Sequence, residues 1–149
     1  MTVIRLATPA DTHALGLRLA SVVKPGDVIA LTGGLGSGKT SLARGLLQGL
    51  GLQEEAPSPS FAIVQPYDRP ETRIPVLHVD LYRIDDRAEM EELGIDDAAD
   101  AVLVVEWPER AGGNYWPDAL LLSLSIDNDG GRSLTAQVPT AWKARWPLQ

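Results

Sequence analysis

The stretch IALTGGLGSGKTSLARGLLQGLG, from Ile29 to Gly51, decides the fold. A short apolar run meets a loop with glycines at 33, 34, 36 and 38, then Lys39 and Thr40, then a leucine-rich segment. The apolar run predicts a buried strand over "DVIALTG". Leu42, Leu46 and Leu50 recur at helical spacing in "KTSLARGLLQGL", with Gly49 and Gly51 near its end. Between strand and helix, Gly33 to Thr40 matches G-x-x-x-x-G-K-[ST] at every fixed position. The physical requirement is close approach. Phosphate oxygens are met by successive backbone N–H groups, and a Cβ would block that path or forbid the positive φ values it needs. The helix that follows points its N-terminus, with its partial positive charge, at the same place. In this reading Lys39 reaches the β- and γ-phosphates of a nucleoside triphosphate, and the Thr40 hydroxyl ligates Mg²⁺.

A phosphate-binding loop of this kind works with an acid at the end of a neighbouring strand. Asp80 ends "VLHVD" and Glu106 ends "AVLVVE". Each follows an apolar run, so each is expected to emerge at the sheet edge beside the phosphates. There is no Asn-Lys-x-Asp run of the kind that reads guanine, and no arginine-rich lid insertion. His13 and His78 are too far apart in sequence to imply a metal pair, and His13 is expected on a helix surface.

The rest of the chain frames that loop. Its 149 residues suit one domain, 1–149, with a real core. No apolar run approaches the roughly 20 residues that would span a bilayer. With no secretion signal at its start, the chain is read as cytoplasmic. The absence of cysteine excludes disulfides, zinc–thiolate sites and thiol catalysis. The net charge is −7, and eight acids against the single base Arg87 between Asp85 and Asp100 account for all of it. That segment reads as a solvated helix face or a docking surface for a basic partner. An acidic chain is a poor candidate for binding nucleic-acid backbones on its own.

"TPADTHALGLRLASVV" predicts a helix with Thr8 as N-cap, Pro9 at its first position and Asp11 completing a capping box. "EEAPSPS" predicts a loop, and "FAIVQPY" and "PVLHVDLY" predict strands. "DDRAEMEELG" predicts a short helix capped through Asp86 and Glu89. "AVLVVEW" is continuous enough for a strand covered on both faces. "ALLLSLSI" and "SLTAQV" flank "DNDGG" as a hairpin, and "TAWKARWPL" predicts a short terminal helix, with Trp142 and Trp146 packed inward or, interleaved with Lys143 and Arg145, exposed to stack on unpaired bases. The expected fold is a three-layer α/β sandwich of the P-loop NTPase kind, with a mixed, mainly parallel central sheet and an antiparallel edge hairpin.

"GGLGSGKTS", "SPSFAIVQPY", "HVDLYRI", "EELGIDD" and "VEWPERA" follow one another in order. Together they resemble the TsaE (YjeE) family, the small P-loop ATPases of bacterial tRNA threonylcarbamoyladenosine synthesis, over almost the whole chain. The resemblance implies ATP and Mg²⁺ as ligands, with TsaB and TsaD as protein partners that give access to tRNA. It implies that Gly36, Ser37, Gly38, Lys39, Thr40 and Ser41 hold the phosphates, beside Gly33, and that Thr40 and Glu106 coordinate the metal. Asp80 supports hydrolysis, so Lys39, Asp80 and Glu106 form the catalytic set. Ser58 to Phe61 act as a switch-like loop. Trp107 lines the site, and Thr8, Pro9 and Arg132 lie against adenine and ribose. Gly34 and Ser37 stand where the family usually has Asp and Ala, and Ser60 where it has Thr. Three readings stay open on the residues: an ATPase whose hydrolysis resets the partner complex, a nucleotide-gated binding module, and a small kinase.

Overall fold

In the computed structural model, which describes residues 3–54, 64–95, 100–112 and 115–146, strands and helices fall largely where the hydrophobic pattern puts them. The strands are β1 (Val3–Leu6), β2 (Val28–Thr32), β3 (Val64–Tyr67), β4 (Val76–Asp80), β5 (Val102–Glu106), β6 (Leu120–Ile126) and β7 (Arg132–Gln137). The helices are α1 (Pro9–Ala20), α2 (Lys39–Gly49) and α3 (Arg87–Glu92), with 3₁₀ turns at Pro108–Ala111 and Thr140–Trp142.

The described strands form one sheet in the order β1-β7-β6-β2-β5-β4-β3. Its four central strands, β6, β2, β5 and β4, run parallel. The outer ones pair antiparallel: β6 with β7 as a hairpin, β7 with β1, and β4 with β3. Every residue of β5 is buried because both of its faces are covered. Val102 and Val104 join the core beneath α1 and α2, while Leu103 and Val105 pack with Met90 of α3 and Ala111 on the other face. This gives three layers, the third built from one short helix and a 3₁₀ turn.

α1 and α2 lie against each other and run parallel: Gly16 meets Leu42 and Gly45, and Ala20 meets Gly49. Small residues make that approach possible. A Cβ on Gly45 would sit 2.2 Å from the His13 carbonyl oxygen, and one on Gly16 2.3 Å from that of Leu42. Gly49 is therefore a packing residue, whereas Gly51, at φ 117°, turns the chain out of the helix. Because the helices are parallel, their N-termini emerge at the same end of the sheet.

The terminal helix expected over "TAWKARWPL" is instead a 3₁₀ turn. Pro139 and Pro147 bracket only seven residues, about two turns, and Pro147 disfavours the helical conformation before it. Trp142 and Trp146 nevertheless pack inward, and Arg145 lies 4.0 Å over the Trp142 ring and pairs with Asp27. "EEAPSPS" beyond Glu54, and residues 61–63 of "FAIVQPY", lie outside the described residues. No helix among the described residues is long and apolar enough to cross a membrane.

Candidate functional site

The parallel arrangement of β2, β5 and β4 brings three strand ends to one place. The glycine loop leaves the end of β2, Glu106 ends β5, and Asp80 ends β4 directly opposite Glu106 in the register. Both acids are buried, at 6% exposure for Asp80 and 3% for Glu106.

The loop delivers the chain to α2 through Gly36 at φ 77° and Gly38 at φ 106°, conformations that a side chain would strain. Gly38 is the N-cap of α2 and supplies no side chain to cap it; nor is there an acid in the first turn. The first N–H groups of a helix have no partner within it. Here, among the described residues, no side chain caps them, and they lie beside a cavity of about 260 Å³. Ser37, Lys39, Thr40, Ser41, Asp80, Glu106 and Trp107 line this cavity.

Lys39 is 5% exposed, and its Nζ donates to the carbonyl oxygens of Gly33 at 2.6 Å and Gly34 at 3.0 Å. It also sits 4.4 Å over the Trp107 ring. Burial holds its ammonium below the ordinary lysine range, opposed by the charges of Glu106, Asp80 and Glu109. Trp107 reaches this position from a left-handed backbone, φ 60° and ψ 50°, and its ring leans on Tyr82 at 4.9 Å. Thr40 Oγ1 donates to Glu106 Oε1 at 3.4 Å.

A second cleft, of about 120 Å³, shares Gly36, Gly38 and Ser41 with the first and brings in Thr8, Pro9, Thr12 and Arg132. The sequence reading therefore assembles into one continuous surface at the loop. Three of its residues have placements within the protein that the sequence reading did not give. Gly33 accepts from Lys39 through its carbonyl, and a Cβ on it would lie 2.5 Å from the Leu124 carbonyl oxygen. The Ser37 hydroxyl is buried without a hydrogen-bond partner among the described residues. Arg132 directs its guanidinium to the backbone carbonyls of Gly36, Gly130 and Gly131, bracing the loop from the hairpin. The switch-like segment Ser58 to Phe61 lies outside the described residues.

Two participants escaped the sequence reading. Glu109 accepts a hydrogen bond from Thr32 Oγ1 at 2.8 Å, and His78 stands 2.7 Å from Glu106 through its Nε2. The alternation of β4 puts His78 on the same face as Asp80, which is the signal that could have found it.

The arrangement suits a polyanion: bare helical N–H groups, a positive helix end and a buried cation converge on one cavity. It suits a divalent cation only jointly with that polyanion. Among the described residues no three His, Asp or Glu side chains form a metal cage. Thr40 and Glu106 offer two oxygens, and Mg²⁺ is commonly held by one or two carboxylates completed by phosphate and water.

Residues 6–134 match the family model described as threonylcarbamoyl adenosine biosynthesis protein TsaE. The chain is 44% identical over 112 residues to the tRNA threonylcarbamoyladenosine biosynthesis protein TsaE of Streptomyces coelicolor, covering 74% of this chain and 76% of that one. It is 34% identical over 133 residues to the TsaE of Bacillus subtilis, covering 88% and 82%. Its fold matches the crystal structure of YdiB from Bacillus subtilis with a TM-score of 0.77 at 29% identity, over 94% of this chain and 86% of that one. The chain belongs to the TsaE family of tRNA threonylcarbamoyladenosine biosynthesis proteins.

Proposed function

We infer that this protein is a Mg²⁺-dependent ATPase that acts with TsaB and TsaD in tRNA threonylcarbamoyladenosine synthesis, its hydrolysis resetting the complex between turnovers. The observation that carries this reading is the uncapped end of α2, with Lys39 inside it, facing the Asp80–Glu106 pair across one cavity. The N–H groups from Gly36 to Ser41 hold the phosphates. Lys39 exchanges the carbonyls of Gly33 and Gly34 for phosphate oxygens. Adenine and ribose lie in the adjoining cleft, against Thr8, Pro9 and Arg132.

Thr40 and Glu106 hold Mg²⁺, which when bound neutralises charge on the β- and γ-phosphates. Asp80 orients the attacking water by accepting a hydrogen bond from it. Trp107 closes the wall over Lys39 and keeps that side of the site dry. The switch is physical: the triphosphate orders the loop, and hydrolysis releases it.

The test is ATP hydrolysis by the purified protein, alone and with TsaB and TsaD. Slow turnover alone and stimulation by the pair are expected. Lys39→Ala loses nucleotide affinity, and Asp80→Ala and Glu106→Ala lose turnover more than binding. Parent-rate hydrolysis in the full complex by both acid variants would overturn the roles given to them. Rescue of cells lacking the protein by a variant that binds but does not hydrolyse ATP would make it a nucleotide-gated binding module.

A further inference from the structure

Glu106 has two oxygens, and the structure gives them separate partners. Oε1 is reached by Thr40 Oγ1 at 3.4 Å; Oε2 lies 2.7 Å from His78 Nε2. A carboxylate turns readily about its last bond, because that torsion is broad and two-fold. A donor fixed on Oε2 removes the freedom and commits Oε1 to the cavity. His78 is able to be that fixed donor: it is wholly buried in the middle of β4.

Its other ring nitrogen sharpens the argument. Among the described residues, Nδ1 is buried without a hydrogen-bond partner. Burying a polar atom unsatisfied is unfavourable, and an aliphatic side chain would avoid it. The neighbours of His78 in β4 are aliphatic, Val76, Leu77 and Val79. Packing therefore does not call for an imidazole at this position, whereas the contact with Glu106 does.

We propose that His78 is a positioning residue: it fixes the rotation of the Glu106 carboxylate so that Oε1 faces Thr40 and a divalent cation held between them. This rests on the reading of the site as one for a magnesium nucleotide. His78 touches neither nucleotide nor metal and acts through Glu106 alone.

The probe is Mn²⁺, titrated by electron paramagnetic resonance against protein saturated with a non-hydrolysable ATP analogue; the affinity for that analogue in EDTA is measured in parallel. His78→Leu is expected to weaken Mn²⁺ by about 10–100-fold, the range for loss of an outer-shell partner of a metal ligand. Analogue affinity in EDTA stays within about twofold, since the phosphates are held by α2 and its loop. His78→Gln, whose amide N–H can reach the same oxygen, recovers most of the Mn²⁺ affinity. Parental Mn²⁺ affinity in His78→Leu, or an equal loss in both variants, overturns the proposal.

If the leucine variant does not fold, proton NMR of the metal-free parent decides. An imidazole Nε2–H in slow exchange that shifts in Glu106→Gln supports the contact, and its absence overturns it. A parent that binds no Mn²⁺ with the analogue sinks the site reading and this proposal together. A parent that binds while indifferent to His78 sinks this proposal alone.

Discussion

The first turns of two helices lie side by side, with Thr12 of α1 next to Gly38, the N-cap of α2, where a Cβ on the glycine would lie 3.4 Å from the threonine methyl. α1 closes its own end. The Thr8 hydroxyl accepts from the Asp11 N–H at 3.2 Å, the Asp11 carboxylate accepts from the Thr8 N–H at 3.1 Å, and Pro9 removes a donor that would have had no partner. α2 does none of this: its N-cap is a glycine and its first turn holds no acid. A glycine N-cap in place of a capping side chain costs a helix a few tenths of a kcal/mol, and parallel neighbours set two positive ends together. The second end is thus left open at a cost, beside a neighbour that shows how it could have been closed. That difference marks α2, not α1, as the end prepared for an anion.

The comparison depends on the parallel pairing, so the largest effect comes from breaking it. Gly45→Ala would place a methyl 2.2 Å from the His13 carbonyl oxygen. Helix propensity would favour the change by about 1 kcal/mol. Overpacking against backbone, which cannot rotate away, should outweigh this and leave a net loss of about 2 kcal/mol or more. Urea unfolding measures it, and a variant as stable as the parent would mean that the helices can separate freely.

Next comes the cation of the open end. Lys39→Ala should weaken ATP binding by about 2–3 kcal/mol, the scale of hydrogen bonds to a charged group, as read by isothermal titration. The same titration at rising pH sharpens the point. Burial holds the Lys39 ammonium below its ordinary value of 10.5, and bound phosphates would raise it. Above the free-state pKa, binding must then take up a proton, so affinity falls as pH rises through that value. The effect on folding has the opposite sign. The unfolded chain carries the proton more readily in this window, so Lys39 makes the folded state more stable as pH rises. Lys39→Ala should remove both dependences.

At the closed end the effect is smaller and falls on another quantity. Thr8→Ala should lose about 1 kcal/mol of stability, the worth of an N-cap, while ATP affinity stays within about twofold. Its hydroxyl is already engaged by Asp11 and is not needed by a ligand. A large loss of affinity with stability intact would move Thr8 from the cap to the nucleotide.

Both helix ends could be read from sequence because their chemistry is local: a capping box within four residues, and a glycine loop leading into a lysine. Asp80 and Glu106 were legible too, as acids closing apolar runs, since parallel strands must deliver their ends to one edge. The contacts that hold the site together were not. His78 meets Glu106 across 28 positions and Arg132 meets Gly36 across 96. Neither spacing leaves a periodic trace. Gly16 and Gly45 likewise look like poor helix residues until the facing helix shows why a methyl does not fit.

The smallest effect is expected at Gly34, where the TsaE resemblance leads one to expect aspartate. A Cβ there meets nothing within 4 Å, and Gly34 is not among the loop glycines with positive φ. Gly34→Asp should therefore be accommodated and even stabilise by up to about 1 kcal/mol, by restricting the unfolded chain. Its interest lies in where the new carboxylate goes. If it stays in solvent, ATP affinity changes little and the end of α2 remains open. If it folds back onto the N–H groups of the first turn, it does for α2 what the Thr8 hydroxyl does for α1. Stability would then rise by the further worth of an acid at a helix N-terminus, up to about 1 kcal/mol, while ATP affinity falls by a similar amount because phosphate must displace it. Measuring both quantities on this one variant shows whether the open end is a vacancy that any nearby anion can fill or one shaped for phosphate.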